Sequence, residues 1–253
     1  MQPWPYPQLF AHRGGGRLAP ENTLPGMQKA LELRFSAVEF DVKLTKDNVS
    51  IVIHDDTLER TSDGHGALAE LDYTELENVD AGRWKGEAFA GTPVPRFADI
   101  ASFCITELMF ANVEIKPCPG REKETGRQVA AEAARYWQRE RVPPLLSSFS
   151  EVALYAAKQA APDLPRGLLI GTWPEDWLLR LRALEAVSLN CDHTLLTPQR
   201  VAEVQAAGYR VLAYTVNEPK RALQLLDWGV DGLFTDELEL LPAAIASASE
   251  IPR

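Results

Sequence analysis

The chain predicts an α/β fold, with a parallel sheet covered by helices and closed as a single barrel. Three observations support this. The last third repeats a helix-then-strand plan twice in succession, which implies parallel strands with helices outside. The 253 residues match single barrels of alternating strands and helices, which run to about 250 residues. Several short apolar runs also end in an ionisable residue, and active sites of such barrels lie at the carboxyl ends of their strands.

In chain order, QLFAHR (8–13) is the first strand candidate. Gly14, Gly15 and Gly16 then form a turn, not a dinucleotide fingerprint, because the GxGxxG spacing is absent. Met27, Ala30 and Leu31 share one face of the next helix. In AVEFDVK (37–43), Val38, Phe40 and Val42 alternate with Glu39, Asp41 and Lys43, so the two acids point the same way. SIVIHD (50–55) follows too soon for a crossover helix, so the two runs pair as a hairpin about Lys46, Asp47 and Asn48. That register sets His54 opposite Asp41.

Residues 57–91 break the rhythm. They are polar, contain RTSDGHG and DAGRWKG, and read as a small subdomain inserted over one mouth of the barrel. PVPRFADI (93–100) opens the next helix. ANVEIK (111–116) repeats the alternation, with Ala111, Val113 and Ile115 on one face and Asn112, Glu114 and Lys116 on the other. Val129, Ala130, Ala133 and Trp137 mark a further helical face. PLLSSF, RGLLIG and AVSLN are the next strands. Thr197 and Pro198 start a helix whose stripe is Val201 and Val204, Gly208 closes it, and RVLAYTV follows. Asn217 caps the last of these helices, with Pro219 in its first turn, Ala222, Leu223 and Leu226 as its stripe and Gly229 at its end. DGLFTD is the final strand. These are nine candidates where a barrel needs eight, and the pattern does not say which lies outside. The proline clusters (Pro3, Pro5, Pro7; Pro93, Pro95; Pro143, Pro144) read as turns and helix starts within one domain spanning 1–253.

A net charge of −10 argues against nucleic acid or an anionic membrane surface as the main partner, since either rewards a basic face. The start, MQPWPYPQLFAHRG, has no basic segment followed by an apolar stretch, and no run approaches the roughly eighteen apolar residues of a membrane span. The expectation is a cytoplasmic protein. Cys104, Cys118 and Cys191 are odd in number and widely spaced, as reduced structural thiols would be.

The chemistry lies in four strand ends. Three carboxylates converging in a barrel mouth repel one another unless a cation offsets them. An all-oxygen set favours a hard ion, magnesium, calcium or manganese, over zinc. Such an ion serves displacement at phosphorus. His12 and His54 titrate nearest neutral pH and can divide the proton work, while Arg13 and Lys116 supply cations for phosphate oxygens. Taken singly, each feature has a plainer explanation: a solvated hairpin face, a hydrogen-bonded histidine, a surface lysine. Together they point to a metal-dependent phosphodiesterase.

The motifs H-R-G, P-E-N-T, E-F-D-V, H-D-D-x-L-x-R-T-S-x-G, V-E-I-K-P and Y-T-V-N resemble, in residue type, order and spacing, the glycerophosphodiester phosphodiesterase family. The match runs from about Phe10 to Asp236. WPYP, HRGGG and LLSSF are most similar to the bacterial cytosolic branch associated with glycerol-phosphate uptake. The resemblance implies a TIM-type (β/α)8 barrel with a small inserted subdomain. It implies hydrolysis of glycerophosphodiesters to glycerol 3-phosphate and an alcohol, with Glu39, Asp41 and Glu114 as metal ligands and His12 and His54 as catalytic histidines. Arg13 stands beside the first of these histidines, Lys116 matches the family's lysine after the metal glutamate, and Glu21 and Asn22 fall in a supporting turn. Tyr214 stands where many relatives carry tryptophan, keeping an aromatic wall. Ser147, Ser148 and Phe149 are candidates to line the pocket, although strand packing explains them equally well. Trp84 and Phe89 either close over the alcohol group or form the insertion's own core. His65 and His193 read as non-catalytic. The small-molecule substrates expected are diesters such as glycerophosphocholine and glycerophosphoethanolamine. The alternatives are a lysophospholipase D-like enzyme on lipids, which should show an exposed apolar entrance, and a non-catalytic phosphodiester-binding barrel, which should have lost one of the five site residues.

Overall fold

The computed structural model describes residues 4–249, the last of these by its backbone alone. Pro3, in the first proline cluster, lies outside them. All nine strand candidates form: β1 (Leu9–Ala11), β2 (Ala37–Leu44), β3 (Ser50–Val52), β4 (Phe110–Ile115), β5 (Leu145–Ser148), β6 (Arg166–Ile170), β7 (Ser188–Asp192), β8 (Arg210–Tyr214) and β9 (Gly232–Thr235). The sheet order is β1-β9-β8-β7-β6-β5-β4-β2-β3, and a β1–β2 pairing closes the ring. Every ladder in the ring is parallel. The strand left outside is β3, which pairs antiparallel with β2 alone among the strands.

The hairpin register differs from expectation by one residue. Val42 pairs with Val52 and Leu44 with Ser50, and the Ile53 amide donates to the Asp41 carbonyl at 3.1 Å. Ile53, not His54, is therefore opposite Asp41. The ladder ends at Val52, so strand alternation no longer governs where the His54 ring points.

Helices α1 (Leu24–Glu32), α4 (Glu122–Tyr136), α5 (Glu151–Ala160), α6 (Trp177–Leu184), α7 (Pro198–Ala206) and α8 (Pro219–Asp227) connect the parallel strands, α3 (Phe97–Thr106) leads into β4, and α9 (Leu240–Ser249) ends the chain. Thr197 caps α7, its hydroxyl accepting from the Arg200 amide. The expected cap at Asn217 is not formed. Glu218 holds that position, and the Asn217 side chain is used elsewhere. Between β3 and α3 the chain forms only the one-turn helix α2 (Tyr73–Leu76) and three short 3₁₀ turns. This insertion has its own apolar cluster, in which Leu58, Leu68 and Leu76 pack on Ile51 and Ile53. Trp84 and Phe89 belong to neither this cluster nor the cavity described below.

Alternation along the strands sorts side chains between the two sides of the wall. Outward residues such as Val38, Phe40, Val42, Ala111, Val113 and Ile115 pack into the layer beneath the helices. Inward residues change character along the axis. At the amino-terminal end, Tyr6, Phe10, Leu145, Leu212 and Phe234 fill the bore, each such burial stabilising by roughly 1.5–3 kcal/mol. Further up, the same faces carry Glu39, Asp41, Asn112, Glu114 and Ser147, all buried. The apolar plug thus forms the floor on which the polar mouth is built.

Candidate active site

A cavity of ≈ 220 Å³ opens at the carboxyl ends of the strands, lined by His12, Arg13, Glu39, His54, Asn112, Glu114, Lys116, Ser147, Phe149, Leu169, Tyr214, Thr215 and Phe234. A larger crevice of ≈ 440 Å³ lies at the opposite end, around Trp4, Tyr6 and Arg166. There the Arg166 guanidinium is already occupied by backbone carbonyls, including those of Leu164 and Leu184.

Ligand atoms of Glu39, Asp41 and Glu114 lie within 4.8 Å of one another, and all three residues are buried. The parallel register of β2 on β4, with Asp41 beside Glu114, brings them together. Burial, then the charges of Asp41 and Glu114, push the Glu39 carboxyl well above its ordinary range. Burial and Asp41 raise Glu114 as well. Burial works against the charge on Asp41, but Lys116, Arg13, His54 and the Asn22 hydrogen bond together hold its pKa low. Lys116 Nζ stands 2.9 Å from Glu114 and 3.2 Å from Asp41.

The turn after β1 does the orienting. Arg13 has a positive φ of 52°, an uncommon conformation for a side-chain-bearing residue. It is fixed because its amide donates to Glu39 at 2.9 Å and its carbonyl accepts from the Asn22 amide. Asn22, in the PENT turn, grips Asp41 twice: its Nδ2 donates to Oδ2 at 2.8 Å, and its Oδ1 accepts the Asp41 amide at 3.1 Å. Gly16 is obligatory here, since a Cβ at that position would stand 2.4 Å from the Asp236 carbonyl oxygen. Arg13 bonds Glu21 through NH1, while its Nε, 3.6 Å from Asp41, is buried without a hydrogen-bond partner.

Each histidine is engaged at Nδ1 by an aspartate, both rings line the cavity, and His12 Nε2 lies 3.9 Å from Glu39 Oε2. His12 Nδ1 meets Asp236 at 2.7 Å, and His54 Nδ1 meets Asp55 at 2.6 Å. Burial works against charge on His12, but Asp236 and Glu39 outweigh it and raise its pKa. Burial lowers that of His54. Arg60, from the insertion, bonds both Asp55 and Glu21, tying the His54 segment to the PENT turn.

Among the pocket candidates, Ser147 and Phe149 line the cavity, while the Ser148 hydroxyl donates to the Ile115 carbonyl. Tyr214 stands edge-on to Phe149 at 5.6 Å, and its hydroxyl donates to the Ile170 carbonyl at 2.8 Å. His65 is exposed in the insertion, and neither it nor His193 lines the cavity. Asp236 and Asp55 carry no local pattern that marks them as partners of the histidines, and Asn217 serves Asp236 instead of capping a helix. Asp236 had a usable signal: in a closed barrel the first and last strands are neighbours, so their inward residues meet.

The model of the glycerophosphoryl diester phosphodiesterase family matches residues 12–240. The chain belongs to this family. It is 34% identical to the glycerophosphodiester phosphodiesterase of Caldanaerobacter subterraneus, over 92% of this chain and 95% of that protein. It superposes with a TM-score of 0.89 and 35% identity on an Oleispira antarctica phosphodiesterase in complex with the product sn-glycerol-3-phosphate, covering 95% of this chain and 97% of that one. A glycerophosphodiester phosphodiesterase from Agrobacterium tumefaciens gives 0.79 at 26% identity, covering 94% and 99%. The fold is the family's TIM-type barrel, and the enzyme class is glycerophosphodiester phosphodiesterase. Among the described residues no helix is long and apolar enough to cross a membrane.

Proposed function

We propose that this family member hydrolyses glycerophosphodiesters such as glycerophosphocholine and glycerophosphoethanolamine to sn-glycerol 3-phosphate and the free alcohol, with a divalent cation held by Glu39, Asp41 and Glu114. One observation carries the reading: three buried carboxylates have ligand atoms within 4.8 Å of one another, and two of them, Glu39 and Glu114, line a cavity together with two histidines, Arg13 and Lys116. The Oleispira relative's bound product, sn-glycerol-3-phosphate, supports the choice of substrate.

The carboxylate cluster suits a cation. Glu39 and Glu114 are raised by their own crowding, and a positive ion removes that penalty. An all-oxygen donor set favours Mg²⁺ or Ca²⁺, and Mn²⁺ also fits. Bound there, the ion supplies charge against the negative charge that builds on the phosphoryl oxygens.

The protein's own groups do the rest. Arg13, with its unbonded buried Nε, and Lys116 bind the phosphoryl group and fix it over the carboxylates. His12 and His54 transfer protons through Nε2, one accepting the proton of the attacking oxygen and the other donating to the departing alkoxide. Tyr214 and Phe149 form the side wall for the organic portion of the substrate. All three cysteines are free and buried, in keeping with a reducing cytoplasmic location.

The test is release of glycerol 3-phosphate from glycerophosphocholine and glycerophosphoethanolamine by chelator-stripped protein resupplied with Mg²⁺, Ca²⁺ or Mn²⁺ in turn. Metal-restored release supports the reading and ranks the ions. Absence of release with every ion, alongside measurable metal binding, overturns it.

A further inference from the structure

We propose that Asp236 and Asn217 are positioning residues that hold His12 in the tautomer with its proton on Nδ1, so that the Nε2 lone pair faces the substrate. The inference rests on the reading of His12 as a proton-transfer group, and deepens it.

Strand register brings the groups together. Leu9, Phe10 and Ala11 of β1 pair with Leu233, Phe234 and Thr235 of β9. His12 and Asp236 are the next residue on each strand, and the His12 amide donates to the Thr235 carbonyl at 2.9 Å. Asp236 Oδ1 meets His12 Nδ1 at 2.7 Å, leaving Oδ2 to accept from Asn217 Nδ2 at 2.9 Å. The orientation of the Asn217 amide is not free. Its Oδ1 accepts the Asp236 backbone amide at 2.9 Å and the Thr235 hydroxyl at 3.2 Å, so its NH₂ must face the carboxylate. A carboxylate offers only acceptors, so neutral His12 must place its proton on Nδ1 to bond it.

This arrangement makes an unusual demand on substitutions. In Asp236→Asn the new amide has one NH₂ and one carbonyl oxygen. Set against the Asn217 NH₂, its own NH₂ would meet donor with donor, so the carbonyl oxygen turns to Asn217 and the NH₂ turns to His12. His12 Nδ1 must then accept, its proton moves to Nε2, and the lone pair leaves the cavity. The isosteric change should therefore harm turnover more than truncation to alanine, which leaves the ring free to choose. Adding Asn217→Asp to Asp236→Asn supplies an acceptor at position 217, turns the new amide back, and restores the original pattern with the same total charge.

The test measures kcat with saturating divalent metal, bound metal by elemental analysis, and ¹⁵N spectra of histidine-labelled protein. With four histidines in the chain, His12→Gln identifies the His12 signals. Asp236→Asn is expected to lower kcat roughly 10²–10⁴-fold with metal content unchanged and neutral His12 protonated at Nε2. Asp236→Ala should lose less, and the swapped pair should recover at least about tenfold over Asp236→Asn. Against a His12→Gln background, Asp236→Asn should have no further effect. Asn217→Ala provides a second route if Asp236→Asn does not fold, with an expected loss in kcat at unchanged KM. The inference is overturned if Asp236→Asn keeps the Nδ1 proton, if alanine is as harmful as asparagine and the swap recovers nothing, or if Asn217→Ala leaves kcat intact. Full turnover by His12→Gln would instead sink the reading of His12 as proton carrier, while the ¹⁵N spectra would still decide whether Asp236 sets the tautomer.

Discussion

The Arg60 guanidinium grips the Asp55 carboxylate with a two-bonded fork, Nε to Oδ2 at 2.5 Å and NH2 to Oδ1 at 3.0 Å. Asp55 in turn holds His54 Nδ1, so a residue of the insertion fixes a group at the cavity through one intermediary. Arg60 is about half exposed, at 46%, and pairs of that kind add little to stability, about 0–1 kcal/mol. Its contribution is orientation. Lysine cannot reproduce the fork, so Arg60→Lys is expected to lower kcat about tenfold, the loss of one charge-assisted hydrogen bond, with little change in Tm. Unchanged kcat in Arg60→Lys would show that the fork orients nothing.

The same pair makes a pH prediction. Arg60's hydrogen bonds, then that of His54, hold the Asp55 pKa down to about 2, against about 3.9 in an unfolded chain. A depressed carboxylate stabilises the fold above the unfolded value, and the contribution fades as pH falls toward the folded one. The small Tm gap between wild type and Arg60→Lys should therefore be flat from pH 7 to about 5 and narrow steadily below about 4. A gap that widens on acidification would contradict the pairing.

Metal and proton roles separate cleanly by substitution. Glu114→Gln removes a charged oxygen from the buried triad and is expected to weaken metal affinity. His54→Ala, outside the triad, should retain the metal and lose roughly 10²–10⁴-fold in turnover. Equilibrium dialysis against Mn²⁺ distinguishes them, and full occupancy in Glu114→Gln would remove that residue from the ligand set. Stripping the wild type with chelator should lower its stability too, by about 2.7 kcal/mol relative to metal at a hundredfold excess over Kd.

Much of this site could be read from the chain because strand alternation encodes direction. Glu39 and Asp41 on one strand, and Glu114 and Lys116 on another, face the bore as their spacing requires, with Val38, Phe40, Val113 and Ile115 turned to the helices. The errors fall where alternation stops. His54 lies beyond the last β3 pair, so a register argument could not place it. Asn217 precedes a proline-started helix and fits a cap, but its amide is taken by Asp236 and Thr235 at the end of the neighbouring strand β9. No local pattern distinguishes a capping asparagine from one with a distant carboxylate. The outlier β3 likewise depends on β2 pairing with both β1 and β4, a choice of neighbours that no local pattern encodes.

The insertion should behave as a packed element and not a loose loop. Leu68 is fully buried in its cluster, beside Leu58, Leu76 and Ile51. Leu68→Ala is expected to cost about 2–5 kcal/mol, read as a fall in the denaturation midpoint. Because Arg60 rides on this element, kcat should fall as well, by no more than Arg60→Lys produces. A midpoint shift under about 1 kcal/mol would mean that the cluster does not anchor the insertion.

Tyr214 presents two separable features. Its hydroxyl is committed to the Ile170 carbonyl at 2.8 Å, and its ring stands edge-on to Phe149, which is 49% exposed at the cavity. Burial pushes the phenol well above its ordinary pKa, so it does not ionise near neutral pH and has no spare proton to give. Tyr214→Phe should therefore cost about 1 kcal/mol in stability, one neutral hydrogen bond, and leave kcat/KM within a few-fold of wild type. Tyr214→Ala removes the wall and lets water reach the organic side of the substrate, which should raise KM more than it lowers kcat. If Tyr214→Phe instead abolished turnover, the hydroxyl would be taking part in the chemistry and the wall assignment would fail.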